Sequence, residues 1–215
     1  MDFIVKGWSY VLSTVLALLP IVNPLATVGV LLAITAGLSE RERIAQTRRA
    51  CVYMALILIA FLVAGGLIMS FFGISIPGLR IAGGLIVSYI GFRMLFPEPK
   101  TITSQEQREA LEKEDVSFTP LAMPSLSGPG SIAVVIGLSS TLRGGDVLLG
   151  HVFMAVGIVI TALISYLILR AATPLQAMLG ATGINAISRI MGFILVCIGV
   201  QFVINGVLEI VGGIA

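Results

Sequence analysis

The chain has 215 residues, of which 57% are hydrophobic and 11% are charged, and its mean hydropathy is +1.07. Ordinary globular proteins carry roughly 25% charged residues. This composition excludes a soluble enzyme, a DNA-binding module and a secreted disulfide scaffold. The formal net charge of +2 is small, so the positions of the charges are more informative than their sum. We expect an all-α polytopic membrane protein.

Six apolar segments are long enough to cross a bilayer, which takes about 20 residues each. In chain order they are Tyr10–Ala36, Ala50–Phe72, Pro77–Leu95, Leu121–Leu142, Val147–Arg170 and Ile187–Val211. Ser39, followed by Glu40 and Glu42, is typical of a helix start. Residues 98–117 are polar and acidic, which indicates a cytoplasmic loop that connects two halves of the chain.

The basic residues are distributed unevenly between the two predicted faces. With six spans, only Lys6, Arg80 and Arg143 fall on the side of the termini, and the other Lys and Arg residues fall on the opposite side. Because cytoplasmic loops carry the excess of basic residues, the sequence predicts that both termini are periplasmic.

The two halves of the chain share motifs in the same order. A proline-broken segment occurs at Pro24 in the first half and at Pro129 in the second. An Arg-Ile-x-Gly sequence then begins at Arg80 and again at Arg189. We therefore predict a duplication, with repeats at residues 1–97 and 118–215. Three spans in each repeat is an odd number, so the repeats would be inverted, which is a common plan for secondary transporters.

The broken first span of each repeat is the candidate binding site. Proline and glycine interrupt the helix, and the amino ends of half-helices present N–H groups and partial positive charge that suit a carboxylate. The predicted substrate-binding residues are Asn23, Pro24, Thr27, Gly128, Pro129, Gly130 and Ser131. The alternative interpretation is that the breaks are proline kinks that only shape packing.

Other polar residues in or near the spans allow two interpretations each. Arg80 and Arg189 are either interfacial anchors or gating residues that bind carbonyl or hydroxyl groups of the broken segments. Gln201 and Asn205 either face a cavity or hydrogen-bond a neighbour. Glu209, near the end of the last span, is expected to be an interfacial carboxylate.

Several kinds of chemistry are not expected. No acidic residue lies in the middle of a span, which argues against cationic drugs as substrates and against a carboxylate proton relay. We find no plausible metal-ligand set and no nucleophile with a base, so we expect no metal, no cofactor and no enzymatic activity. Nucleic acid is not an expected partner.

Four segments resemble the MarC family of bacterial inner-membrane proteins. They are Asn23-Pro24, FGISIPGLRIAGGLIVSYIGFRMLFP (72–97), PLAMPSLSGPGSIA (120–133) and GINAISRIMGFILVCIGVQFVINGVLEI (183–210). The resemblance covers nearly the whole chain and implies a six-span transporter of neutral amino acids in the inner membrane. It points to functional roles for Asn23, Pro24, Gly128, Pro129, Gly130, Arg80 and Arg189, and it implies none for residues 98–117.

The sequence therefore predicts a transporter of small neutral amino acids, such as glycine, alanine or serine, that works by alternating access at the interface of the repeats. One alternative is a membrane protein that acts through partners or lipids without transport, for which helix breaks packed without a cavity would be diagnostic. Another is an exporter of antibiotics or metabolites, which would need a large apolar cavity or an acidic residue within it.

Overall fold

The computed structural model describes residues 2–96, 115–140, 142 and 147–213, and all regular secondary structure in these ranges is helical. The helices are α1 (Asp2–Val22), α2 (Pro24–Ile34), α3 (Glu40–Phe71), α4 (Ile76–Leu95), α5 (Ser117–Leu126, irregular, with extended backbone at Thr119 and Met123), α6 (Pro129–Ser139), α7 (Val147–Arg170) and α8 (Ala172–Gly212). Most of the predicted loop 98–117 lies outside the described residues.

Four helical segments are long and apolar enough to cross a membrane individually: α3, α4, α7 and residues 182–212 of α8. The pairs α1–α2 and α5–α6 meet the same criteria when each pair is taken as one bent span, with bends of 42° and 59°. The described residues thus form an all-helical membrane protein with four to six spans, and the predicted break in the first span of each half is confirmed.

Local chemistry explains both breaks. Asn23 adopts a left-handed conformation (φ 44°, ψ 63°), and its side chain caps α2, which begins at Pro24. In the second half, Gly128 is extended and Pro129 begins α6. Proline is favoured at the first position of a helix because no N–H is needed there. Pro20, by contrast, lies inside α1, which continues to Val22.

The connection between α2 and α3 ends in the predicted helix start. Ser39 accepts a hydrogen bond from the Glu42 N–H, and the Glu42 carboxylate accepts one from the Ser39 N–H. These bonds form a capping box, and hydrogen bonds from Ser39 lower the pKa of Glu42. The helix therefore begins at Glu40, ahead of the predicted span at Ala50, and its first turns are polar.

The start of α5 is tied to α3. The Val116 N–H donates to the side-chain oxygen of Gln46 at 3.1 Å, and Arg49 pairs with Asp115 at 3.1 Å. Hydrogen bonds from Ser117 and then the Arg49 guanidinium lower the pKa of Asp115. These contacts hold the start of the second half of the chain against α3 of the first half.

The third spans, α4 and α8, run antiparallel in close contact. A Cβ atom placed on Gly84 would lie 2.5 Å from the Gly199 carbonyl oxygen, and one on Gly91 would lie 2.6 Å from that of Gly192. The glycines of α4 therefore meet those of α8 in reverse order. Glycine at these positions lets the two backbones approach, as small residues do at membrane helix interfaces.

The helices of each half pack mainly against helices of the other half. In chain order, α1, α2, α3 and α4 of the first half correspond to α5, α6, α7 and α8 of the second. α1 contacts α7, as α5 contacts α3, and α2 contacts α8, as α6 contacts α4. The remaining two contacts join corresponding helices, α3 with α7 and α4 with α8. Each of these pairings is matched when the two halves are exchanged. The two halves thus build a single bundle rather than two separate cores.

Candidate functional site

A cavity of about 240 Å³ lies between α4, α6 and α8. Its walls come from both halves of the chain. They are formed by Leu79, Arg80, Gly83, Ala133, Val134, Gly137, Leu138, Phe202 and Asn205. Most of the lining is apolar, so the few polar groups on the wall determine what the cavity can bind.

Arg80, on the wall of this cavity, belongs to an ion pair. The Arg80 Nη1 atom, in the first turns of α4, is 2.5 Å from the Glu209 Oε2 atom near the end of α8. The Arg80 side chain is 23% exposed and that of Glu209 is 38% exposed. Glu209 is therefore the partner of a cavity residue, and its expected place at the membrane interface stays a prediction.

A second polar contact follows the same face of α8. The Gln201 side-chain amide donates to the Asn205 Oδ1 atom at 2.8 Å. With Glu209, these residues occur every four positions, which places them on one side of the helix. Amide groups in hydrocarbon are costly unless they are hydrogen-bonded, and this bond pairs one donor with one acceptor. Both interpretations made for Asn205 hold, since it lines the cavity and bonds its neighbour.

The break between α5 and α6 lies at the amino end of α6, just before the part of α6 that lines the cavity. A Cβ atom on Gly83 would lie 2.6 Å from the Ala133 Cβ atom, so α4 and α6 touch there. One turn closer to the amino end of α6, a Cβ atom on Gly130 would lie 2.8 Å from the Val87 Cγ2 atom and 3.4 Å from the Ile21 Cγ2 atom. The amino end of α6 is thus packed between α1 and α4, behind the Gly83–Ala133 contact.

The polar residues of the two breaks are buried, and each bonds nearby backbone. The Asn23 Oδ1 atom accepts from the Ala26 N–H at 3.2 Å, and the Thr27 hydroxyl donates to the Asn23 carbonyl at 3.2 Å. The Ser131 hydroxyl is 3.5 Å from the Leu126 carbonyl oxygen. The Asn23 amide also approaches the Met94 sulfur at 3.5 Å.

The seven predicted binding residues are thus placed around two separate breaks. None of them belongs to the wall of the cavity between α4, α6 and α8. Asn23 contacts the end of α4 at Met94, whereas Gly130 contacts its middle at Val87. At 1.5 Å per residue, these contacts are about 10 Å apart along α4. Their role in binding stays a prediction.

The equivalent position in the other half is nearly filled. There, between α2 and α8, a space of about 10 Å³ remains, which is no larger than one water. It is lined by Leu25, Val28, Leu175, Leu179, Ile184 and Ile187. Arg189, the counterpart of Arg80, is exposed and has no acidic partner among the described residues.

A bend in α8 adjoins this filled position. α8 bends at Gly180 (φ 63°, ψ 176°), a conformation that is essentially restricted to glycine. The segment before the bend supplies Leu175 and Leu179 to the lining. In the first half, Gly73 also has a positive φ, of 65°, just before α4. Each third span is therefore preceded by a glycine hinge, but only the second half carries an additional helical segment there.

The comparisons with known proteins agree with the helical membrane architecture. The sequence model of the family described as "MarC family integral membrane protein" matches residues 8–211. The chain belongs to the MarC family. Curated relatives named "UPF0056 inner membrane protein MarC" are 47% identical in Escherichia coli strain K12 and in Shigella flexneri, and 48% identical in Escherichia coli O6:H1 strain CFT073.

Each of these alignments spans 203 residues, which is 90% of this chain and 92% of the relative. No solved structure gives a significant match. The printed names place these MarC relatives in the inner membrane, and the same location is supported here by the apolar spans. They name no substrate and no activity.

Proposed function

We propose that this MarC family protein is an inner-membrane transporter of small neutral amino acids, such as glycine, alanine or serine, and not an enzyme. The cavity between α4, α6 and α8 carries the proposal, because it places polar groups inside an apolar bundle. Drug-sized ligands usually occupy pockets of about 300–1,000 Å³. A volume of about 240 Å³ favours a smaller ligand and argues against a large antibiotic.

The architecture supports an inverted repeat. α4 and α8 are antiparallel across their glycines. α1 and α7 are parallel, since Gly7 faces Phe153 and Thr14 faces Gly157. Both relations are required if residues 1–97 and 118–215 each cross the membrane three times and enter from opposite sides. We infer a two-fold axis in the membrane plane that passes between α4 and α8.

The difference between the two half-sites supports alternating access. The space between α6 and α4 is open, and the matching space between α2 and α8 is almost filled by leucine and isoleucine side chains. In an inverted-repeat transporter, exchanging these two conformations moves access from one face to the other. The seven break residues would then line the path between the half-sites, where the amino ends of α2 and α6 favour a carboxylate.

The charge distribution favours an open half-site on the periplasmic side. Arg80 and Glu209 lie at the ends of α4 and α8 that the positive-inside rule places outside. Both termini would then be periplasmic. A periplasmic reporter enzyme fused after Ala215 is expected to be active, and activity of a cytoplasmic reporter at that position would overturn the orientation.

The function is tested by uptake into proteoliposomes. Labelled glycine, alanine and serine are supplied to vesicles with the purified protein and to empty vesicles, with and without Na⁺ and proton gradients. We expect saturable uptake of at least one of the three in the protein-containing vesicles. Uptake equal to that of empty vesicles for all three, under every gradient, would contradict the proposal and favour a non-transporting role.

A further inference from the structure

Arg80, on the wall of the open cavity, and its partner Glu209 form a balanced pair. The helices that build the cavity are α4, α6 and α8, and α6 carries no charged residue. The charged residues of α4 are Arg80 and Arg93, and Arg93 lies at the opposite end of the helix. Those of α8 are Arg189 and Glu209. At this end of the bundle, Arg80 and Glu209 are thus one cation and one anion, held 2.5 Å apart.

A zwitterion carries the same two charges at similar spacing. If it enters between Arg80 and Glu209, its carboxylate replaces Glu209 as the partner of Arg80, and its ammonium group replaces Arg80 as the partner of Glu209. Every charge is therefore paired both before and after the zwitterion binds. A ligand with a single charge would leave one protein charge without its partner in a partly desolvated site, which is costly.

We propose that Arg80 and Glu209 bind the substrate as a zwitterion, so that the site selects amino acids over amines and carboxylic acids. This inference rests on the proposed function, whose substrate class it specifies. The neighbouring wall fits the rest of a small amino acid. Asn205 supplies a neutral polar group, and Leu79, Val134 and Phe202 supply an apolar surface for a short side chain.

The experiment compares three competitors of labelled alanine uptake in proteoliposomes: unlabelled alanine, propionate and ethylamine. For the wild type, we expect alanine to compete at least about tenfold more strongly than either singly charged compound, which corresponds to about 1.4 kcal/mol. Glu209→Gln should reduce the ratio of the competing strength of alanine to that of propionate several-fold. Arg80→Gln should reduce the ratio of the competing strength of alanine to that of ethylamine to a similar extent.

The matched control is Asp115→Asn, which removes the acid of the other described ion pair, Arg49–Asp115. Neither of these residues lines the cavity. It should leave both competition ratios unchanged. The same ratios are measured as ligand-induced shifts in the melting temperature of the detergent-solubilised protein, so that variants without uptake still give a result.

The outcomes separate the two proposals. If wild-type uptake is saturable but Glu209→Gln and Arg80→Gln keep the wild-type ratios, the zwitterion site is overturned and the transporter function stands. If alanine shifts the melting temperature with the expected ratios but no uptake occurs, the site stands and the transporter function is overturned. If alanine neither enters the vesicles nor shifts the melting temperature, both are overturned.

Discussion

Asn23 sets the break in the first span through its backbone and its side chain. Its φ of 44° is a left-handed conformation that asparagine tolerates better than most residues. Its Oδ1 atom accepts the Ala26 N–H, one of the N–H groups that a helix start leaves without a partner. The residue thus has a structural role that needs no substrate.

Two substitutions at this position separate the structural role from a binding role. Asn23→Ala removes the cap, which costs about 1 kcal/mol, and places a Cβ-bearing residue without a local hydrogen bond at a positive φ, which costs about 1–2 kcal/mol. Asn23→Gly accepts the φ, and glycine at a cap costs only a few tenths of a kcal/mol. We expect the melting temperature to fall clearly for Asn23→Ala and little for Asn23→Gly, with near-normal alanine uptake in the glycine variant.

The opposite pattern would support the sequence-based hypothesis that the Asn23 side chain contacts the substrate. In that case both variants lose the same interaction. Equal loss of alanine affinity in Asn23→Ala and Asn23→Gly, with Asn23→Gly as stable as the wild type, would show that the amide acts on the substrate.

Residue-level features were predictable where they depend on neighbours in the chain. The capping box at Ser39 and Glu42 and the helix starts at Pro24 and Pro129 follow from local rules, and all are present. The Arg80–Glu209 pair joins residues 129 positions apart. Nothing in the sequence brings them together, because their proximity depends on the antiparallel packing of α4 and α8.

At the scale of the elements, the α4–α8 contact is the closest packing between the halves. Gly84 and Gly91 on α4, and Gly192 and Gly199 on α8, are each spaced by seven residues, or about two helical turns. The spacing keeps them on one face of each helix. Because a backbone atom of the facing helix stands within 3 Å of each added Cβ, the contact has little room to adjust.

Gly84→Ala is therefore expected to destabilise the protein by about 1–3 kcal/mol, the usual cost of overpacking. The control is Gly29→Ala on α2, where no heavy atom lies within 4 Å of the added Cβ. It should be neutral or stabilising by about 0.5–1 kcal/mol, because alanine favours helix over glycine. Unfolding in a denaturing detergent, followed by circular dichroism, gives both values; equal stability of the two variants would contradict the packing.

The element boundaries show where hydropathy is informative and where it is not. The span at Val147–Arg170 was predicted at its observed bounds, and α4 begins at Ile76, one residue before the prediction. α8 begins at Ala172, well before the predicted Ile187. The reason is that the segment before Gly180 is apolar and helical but bends away from the span, a change of direction that hydropathy does not record.

For the whole molecule, the interleaving of the halves places the cavity. α4 comes from the first half, α6 and α8 come from the second, and each packs against the other half. A relative movement of the halves therefore changes the cavity and the filled space between α2 and α8 together. The paired proline and arginine motifs of the sequence predict a duplication, which stays a prediction. The placement of the cavity beside Arg80, away from the two breaks, depends on how six helices assemble and was not predictable from those motifs.

Filling the cavity tests the central claim most directly. Gly137 lies on its wall, and the nearest atom to an added Cβ there is the Arg80 Cγ atom at 4.0 Å, so Gly137→Leu enters the open space without a backbone clash. Gly29→Leu adds the same side chain to an exposed position with no atom within 4 Å. The measurement is initial alanine uptake in proteoliposomes per inserted protein. The account predicts that Gly137→Leu lowers the initial rate of alanine uptake at least about tenfold, which corresponds to about 1.4 kcal/mol, and that Gly29→Leu keeps a rate near that of the wild type. Wild-type uptake by Gly137→Leu would contradict the account.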